Sequence, residues 1–372
     1  MEFKRDKVYT EFNKRLKENF QKEDKEKDPE MSKFATYEDA LKTIYEGFFV
    51  YALIWSFGAP QLDERVWFNG ASKSRSQKIK FPEATNHVYD YKFNVFTFSW
   101  ELWSEGLEKM DPNFDGLYSN LIVPTIETKR QQRLINIHKE VRRGVCFVGI
   151  AGTGKTTIMK NFFAKASRDE VVTAVVNFNS YPDSLTFQTS LENCVAKRVG
   201  KIFGPPIGKK LMFFIDDINM PKRDDYETQQ PIALIRQIID YELVYDRSAL
   251  SDQKYLKDIM FLGCMNPKSG SFFIDLRLQR HMTTVALVLP DKEKLKDMYK
   301  QILDNHMSNF DQVCRDSVVK IVEATASVFS AITNDKMMLP TATKFHYQFN
   351  LRDFARIIQS FLLTTAPAFK NN

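Results

Sequence analysis

An α/β fold on a parallel sheet, followed by a small all-helical domain, is what this sequence predicts, and three observations carry the prediction. Short, almost wholly apolar runs recur between residues 145 and 289, separated by stretches with helical periodicity. Strands covered on both faces read this way, and helices must cover them. The run GIAGTGKT at 149–156 joins one such strand to one such helix. After Pro290 strand-like runs stop and only the helical period continues.

The expected strands are 145–148, 171–178, 211–215, 259–265 and 285–289. The closing helices are marked by Leu295, Met298, Tyr299, Ile302 and Leu303, then Val318, Val322, Thr325, Phe329 and Ile332, then Leu351, Phe354, Ile358 and Phe361. Ahead of the sheet, Leu41, Ile44, Tyr45, Phe48, Phe49, Ala52 and Trp55 form a broad apolar helix face that Gly58 and Pro60 end. Strand-like pieces follow at 65–68, 78–81 and 88–98. In the last, Tyr89, Tyr91, Phe93 and Val95 alternate with polar residues. Residues 106–116 read as a linker. The expected division is a charged helical leader over 1–33, an α+β segment over 34–115, a large α/β domain over 116–289 and a helical domain over 290–372.

Composition narrows the function classes. The chain has 372 residues, 43% hydrophobic and 27% charged, with a formal net charge of +6. That is an ordinary globular balance. Its charges are interleaved, and no basic stripe suggests a nucleic-acid surface. The four cysteines show no CxxC spacing, so neither a zinc site nor a redox motif is indicated; Cys146 and Cys264 sit in apolar runs and are expected as reduced core residues, which favours a cytosolic-type compartment. No signal peptide is expected, and the apolar run at 48–57 falls short of the roughly 20 residues that cross a bilayer.

The chemistry is concentrated in a few places. The run at 149–156 fits G-x-x-x-x-G-K-[ST], a chance match in about one chain of this size in a hundred, so its strand-to-helix context decides the matter. Glycines there let backbone amides curl around phosphates, and the helix start adds partial positive charge. Lys155 is placed to reach the β- and γ-phosphates and Thr156 to hold Mg²⁺. The apolar run 213–215 ends in Asp216 and Asp217, at the strand end where such sheets bind ligands. Asp216 suits a magnesium-supporting role and Asp217 the position of a water-activating acid. Asn266 follows the next strand and is able to orient water. Arg277, Arg280 and His281 come shortly after, and an arginine aimed outward is able to complete a neighbour's phosphate site. Asn350 and Asp353 suit the cap and first turn of the last helix, which places Arg352 at its start.

Together these parts resemble an AAA+ ATPase. The resemblance implies a five-stranded parallel sheet in which the acidic strand is not beside the P-loop strand, and a helical lid. Longer motifs resemble one branch of that class. VPTIETKR at 123–130, FIDDINMP at 214–221, QQP at 229–231, LIRQ at 234–237 and YDR at 245–247 are similar to dynein heavy chains. CMNP at 264–267, GSF at 270–272, RLQRH at 277–281 and FNLRD at 349–353 resemble the third AAA+ module of outer-arm, β-type axonemal chains. IWSFG at 54–58 resembles the stretch before that module.

The resemblance implies an adenine pocket at Ile122, Val123 and Pro124. It implies a phosphate cradle at Ala151, Gly152, Thr153, Gly154, Lys155, Thr156 and Thr157, and Mg²⁺ at Thr156 and Asp216. It makes Asp217, Asn266 and Arg352 the catalytic and sensor positions. Arg280 is the preferred arginine finger toward a neighbouring module, with Arg277 second. ATP or ADP and Mg²⁺ are the implied cofactors. Neighbouring AAA+ modules of the same chain are the implied partners, together with dynein intermediate and light chains and microtubules through the full chain. Nucleic acid and membrane are not implied. The implied setting is the cytoplasm and cytoskeleton, at the axoneme of a cilium or flagellum. The resemblance covers one module, so the rest of the ring, the stalk and the main linker are expected elsewhere in a longer chain.

Two positions depart from the pattern. Asp217 stands where hydrolysing members usually carry Glu, and an ångström-scale retreat of that carboxylate is able to cost ~100-fold in rate. Leu276 stands where the family often has Pro. Slow or gated hydrolysis in a regulatory module is therefore expected, the alternative being a structural ring module that holds nucleotide without turnover.

Overall fold

The computed structural model describes residues 14, 34, 36–61, 87–94, 97–107, 123–179, 183–267, 274–288, 290 and 292–364. The expected leader over 1–33 (Lys14 apart), the strands at 65–68 and 78–81, Ile122, the GSF run at 270–272 and most of the 106–116 linker lie outside them. The chain folds as two compact units. One holds the described residues of Met1–Gly106, Arg130–Val148 and Phe162–Ala286; the other holds those of Leu107–Lys129, Gly149–Asn161 and Leu287–Asn372.

The first unit begins with helix α1, Tyr37–Leu53, capped by the Thr36 hydroxyl, which accepts from the Asp39 amide at 3.2 Å. It runs on as a π-turn over Ile54–Gly58. The buried face differs from the expected one. Ala40, Thr43, Ile44 and Gly47 point inward, whereas Tyr45, Phe48 and Phe49 are exposed. The Phe93 ring explains this: it lies so close to Gly47 that a Cβ there would come within 2.4 Å of it. At position 47 only a residue without a side chain fits.

The expected strand over 88–98 is also broken up. Val88–Asp90 form a 3₁₀ turn, and strands β1, Tyr91–Asn94, and β2, Ser99–Leu102, pair antiparallel on either side of Phe98, whose φ is 53°. Of the alternating residues only Tyr91 and Phe93 lie in β1, Tyr89 belongs to the 3₁₀ turn, and Val95 lies outside the described residues.

Helix α2, Ile126–Val141, leads to β3, Gly144–Val148, and then α3, Lys155–Lys165. β4, Val171–Asn177, and α4, Ser184–Glu192, follow, then β5, Ala196–Val199, β6, Ile202–Gly204, and β7, Lys210–Asp216. α5, Gln230–Tyr241, precedes β8, Leu243–Tyr245, β9, Gln253–Leu256, and β10, Ile259–Met265. The short α6, Leu276–Gln279, and β11, Met282–Ala286, complete the unit.

Five strands form one parallel sheet in the order β11-β3-β10-β7-β4. The acid-ending β7 is thus separated from β3 by β10, as the resemblance implies. Phe213, fully buried in the middle of β7, meets Phe187 of α4 and Phe261 of β10 edge-on at 5.7 and 5.9 Å. Edge-on packing suits the ring quadrupoles. β11 starts three residues before the expected 285 and ends at Ala286. As an edge strand it tolerates the half-buried Thr283 and Thr284 that interrupt its apolar pattern.

A second sheet, ordered β5-β6-β9-β8, was not expected. Its strands are only three or four residues long, too short to carry a readable period. Ion pairs of Arg198 with Asp258 at 2.7 Å and of Lys254 with Glu192 at 3.1 Å accompany them.

The N-terminal segment is fastened to this unit. The Ala286 amide donates to the Ala59 carbonyl at 2.9 Å and the Tyr89 hydroxyl to that of Gly58 at 3.0 Å. Arg130 is buried with its guanidinium 5.8 Å from the Trp55 ring and 3.4 Å from Asp90.

The second unit contains three long helices: α7, Lys292–His306, α8, Gln312–Asn334, and α9, Leu351–Leu362. Their core holds Leu295, Tyr299, Leu303, Val318, Val322, Phe354 and Ile358, with Tyr299 stacked on Phe354 at 4.5 Å. Among the described residues no helix is long and apolar enough to cross a membrane.

Candidate functional site

The glycine-rich run follows β3 directly and turns on two left-handed residues. Gly152 has φ +85° and Gly154 φ +80°, values that L side chains rarely adopt. No atom lies within 4 Å of the position a Gly154 Cβ would take. Gly149 serves another purpose, since a Cβ there would press on the Leu287 carbonyl at 2.8 Å. α3 begins at Lys155, with the Ile158 amide donating to the Gly154 carbonyl at 2.9 Å, so the amides before it open toward the loop.

Lys155 is buried, 8% exposed, and its ammonium donates to the carbonyls of Gly149 and Ile150 at 2.8 Å each. A cation held by the carbonyls of a glycine-rich loop has the chemistry to take a polyphosphate. Thr153 donates to the Ile150 carbonyl at 3.0 Å. Thr156 is half-buried, whereas Ala151 and Thr157 are exposed.

The start of α9 rests on this loop. A Cβ at Gly152 would lie 3.2 Å from Asn350 Oδ1 and 3.3 Å from the Leu351 nitrogen. Asn350 and Asp353 form the expected cap: the Arg352 amide donates to Asn350 Oδ1 at 2.8 Å, and the Asn350 amide to Asp353 Oδ2 at 3.0 Å. Arg352 is thereby the second residue of α9, with its side chain exposed.

Val123 is buried in the core of the helical unit, together with Leu295 and Phe354, and Pro124 is half-buried beside it. The VPTxxT run has a physical reason. The Thr125 amide donates to Thr128 Oγ1 at 2.9 Å and the Thr128 amide to Thr125 Oγ1 at 3.2 Å, a reciprocal cap on α2.

In the other unit, β3, β7 and β10 finish at the same edge, with Met265 in register with Val148 and Gly263 with Ile215. Asp216 ends β7, and its carbonyl accepts from the Phe178 amide at 3.0 Å. Asp217 is left-handed, with φ 52°. Asn266 follows β10, and its carbonyl accepts from Asn219 Nδ2 at 3.1 Å. No cluster of three or more His, Cys, Asp or Glu converges on a metal position among the described residues. None of the four cysteines is in a disulfide, and burial pushes the Cys146 thiol up to about 12.

The two finger candidates are held differently. Arg280 donates to both carboxylate oxygens of Asp240 at 3.2 and 3.3 Å and to His281 Nε2 at 2.9 Å. Arg277 is exposed on α6, whose start Asp275 caps. Both line a cleft of about 690 Å³ that Arg236 and Arg247 also line. Those two stand in motifs quoted above but had been given no role. Their shared cleft arises from the fold and has no signal in the spacing.

Comparison with known proteins matches this arrangement. Residues 110–290 match the P-loop containing dynein motor region, residues 9–105 the dynein heavy chain AAA lid domain, and residues 321–372 the AAA+ lid domain. Dynein axonemal heavy chain 9 of Homo sapiens is 36% identical over 340 residues, covering 90% of this chain and 8% of the relative. The ciliary dynein beta chain of Heliocidaris crassispina has the same identity and coverage. The flagellar outer arm dynein alpha chain of Chlamydomonas reinhardtii is 33% identical over 338 residues, 89% of this chain and 7% of the relative. The chain thus spans under a tenth of the length of these relatives. With this sheet order, this glycine loop and these matches, the chain belongs to the axonemal dynein heavy chain family and carries one of its nucleotide-binding AAA+ modules.

Proposed function

We propose that the chain binds ATP or ADP with Mg²⁺ as the third AAA+ module of an axonemal heavy chain, and that it regulates microtubule-based movement through slow or gated hydrolysis. The observation that carries this reading is the loop itself: two left-handed glycines, a buried Lys155 and open space beside Gly154. In this reading Val123 and Pro124, with Ile122, face the base. Ala151 to Thr157 hold the phosphates, Thr156 and Asp216 hold Mg²⁺, Asn266 positions water and Arg352 senses the nucleotide. The module proper runs over 116–289, its lid over 290–372, and the preceding lid over 34–115. Its partners are the neighbouring modules of the same chain and, through the full chain, intermediate and light chains and microtubules of the axoneme.

Two details refine the assignment. Asp217 adopts the left-handed conformation, which Asp tolerates better than longer acids. That supports Asp as a fitting residue here, with its carboxylate held back from the place a Glu would reach. Arg280 is already bound to Asp240 and His281, so Arg277 becomes the better finger toward a neighbour. A single-turnover experiment tests the function. Cleavage of bound ATP over minutes agrees with a gating module, cleavage within a second rejects slow hydrolysis, and permanent retention of unexchanged ADP favours a structural ring element.

A further inference from the structure

Asn350 occupies a position that the nucleotide motifs do not explain. Its Oδ1 accepts from the Arg352 amide at 2.8 Å and so fixes the first turn of α9. The same Oδ1 lies 3.2 Å, and the Asn350 Cβ 3.3 Å, from where a Gly152 Cβ would stand. One side chain therefore caps the helix that carries Arg352 and rests on the phosphate loop.

The helix has little freedom to absorb a shift. Phe354 and Ile358 of α9 are fully buried, and they share their core with Val123. The Asp353 carboxylate closes the cap from the other side by accepting from the Asn350 amide at 3.0 Å. A close-packed core transmits displacement instead of damping it. Any movement of the Gly152 peptide is passed to Asn350, and through the cap to Arg352.

We propose that Asn350 is a positioning residue, its side chain seated on Gly152 setting where Arg352 stands relative to the phosphate loop. The proposal rests on the nucleotide reading given above. Ser is the informative replacement, because it keeps a capping oxygen and the Cβ but is too short to keep the Oδ1 contact with Gly152.

The test is a double-mutant cycle read as ATP affinity of the chain by calorimetry, with thermal unfolding as a control on the helical unit. Asn350→Ser is expected to weaken ATP binding about fivefold, while the unfolding temperature stays within a degree or two. In an Arg352→Ala background the same replacement is expected to change affinity less than twofold, because the group it positions is gone. Equal weakening in both backgrounds would overturn the proposal, as would full affinity in Asn350→Ser or in Arg352→Ala alone. If Lys155→Ala also bound ATP normally, the nucleotide reading itself would fall, and the proposal with it.

Discussion

The Lys155 ammonium donates to the carbonyl of Gly149, six residues before it, at 2.8 Å. With the equal bond to Ile150 this gives the loop a cation that its own backbone holds in place. Phosphate oxygens are stronger acceptors for that ammonium than peptide carbonyls, because the pair is charge-assisted. Lys155→Ala therefore loses ATP affinity by about 100-fold or more, at roughly 1.4 kcal/mol per factor of ten. Calorimetry on the variant checks it, with α-helix content by circular dichroism unchanged.

The two left-handed glycines separate strain from contact. At Gly154 the space is open, so Gly154→Ala costs only the backbone strain of about 1–2 kcal/mol. Gly152→Ala carries the same strain and also presses on Asn350 and Leu351, adding about 1 kcal/mol or more. Chemical unfolding of the two variants should show Gly152→Ala as the less stable.

Arg130 ends the VPTIETKR motif, yet its surroundings are structural. Removing a buried cation that faces Trp55 and Asp90 takes a charge from the ring's face and leaves the carboxylate to its bond from the His87 amide. Asp90 is one-third exposed, so water takes up part of that loss. Arg130→Ala is expected to cost about 1–3 kcal/mol. Equilibrium unfolding measures it, and Arg130→Lys should recover less than half.

His138 gives the fold a dependence on acid. Its Nδ1 is 2.7 Å from the Leu134 carbonyl and its Nε2 2.9 Å from Thr283 Oγ1. Burial, with help from the nearby Arg143 charge, holds the ring below its usual 6.5, against the opposing effect of the Leu134 bond. The unfolded chain then takes the proton first as pH falls through about 6.5. Stability contributed by the neutral ring is complete above that pH and is lost progressively below it. Thermal melts between pH 7.5 and 5.5 should show a falling Tm whose slope is shallower in His138→Gln.

Much of this was legible before any coordinates. The central strands were readable because burial on both faces leaves uninterrupted apolar runs, as in 211–215 and 259–265, whereas the edge strand β11 was displaced by its two threonines. The cap of α9 was readable because Asn350 and Asp353 act within one turn. What the sequence does not display depends on contacts between distant residues. Gly47 lies inward because Phe93 covers it, and no local pattern says so. The second sheet joins two short local pairs through one distant contact, as Ile202 pairs with Tyr255 some fifty residues on. At the site, glycine spacing announced the loop, but the seat of Asn350 on Gly152 and the shared cleft of Arg236, Arg247, Arg277 and Arg280 arise only when the chain folds back.

Titration of the unaltered chain with MgATP tests the central claim most directly. Saturable binding at one nucleotide per chain, displaced by ADP and accompanied by a higher Tm, is the predicted result. No binding of either nucleotide at millimolar concentration, in a chain shown to be folded, would contradict it.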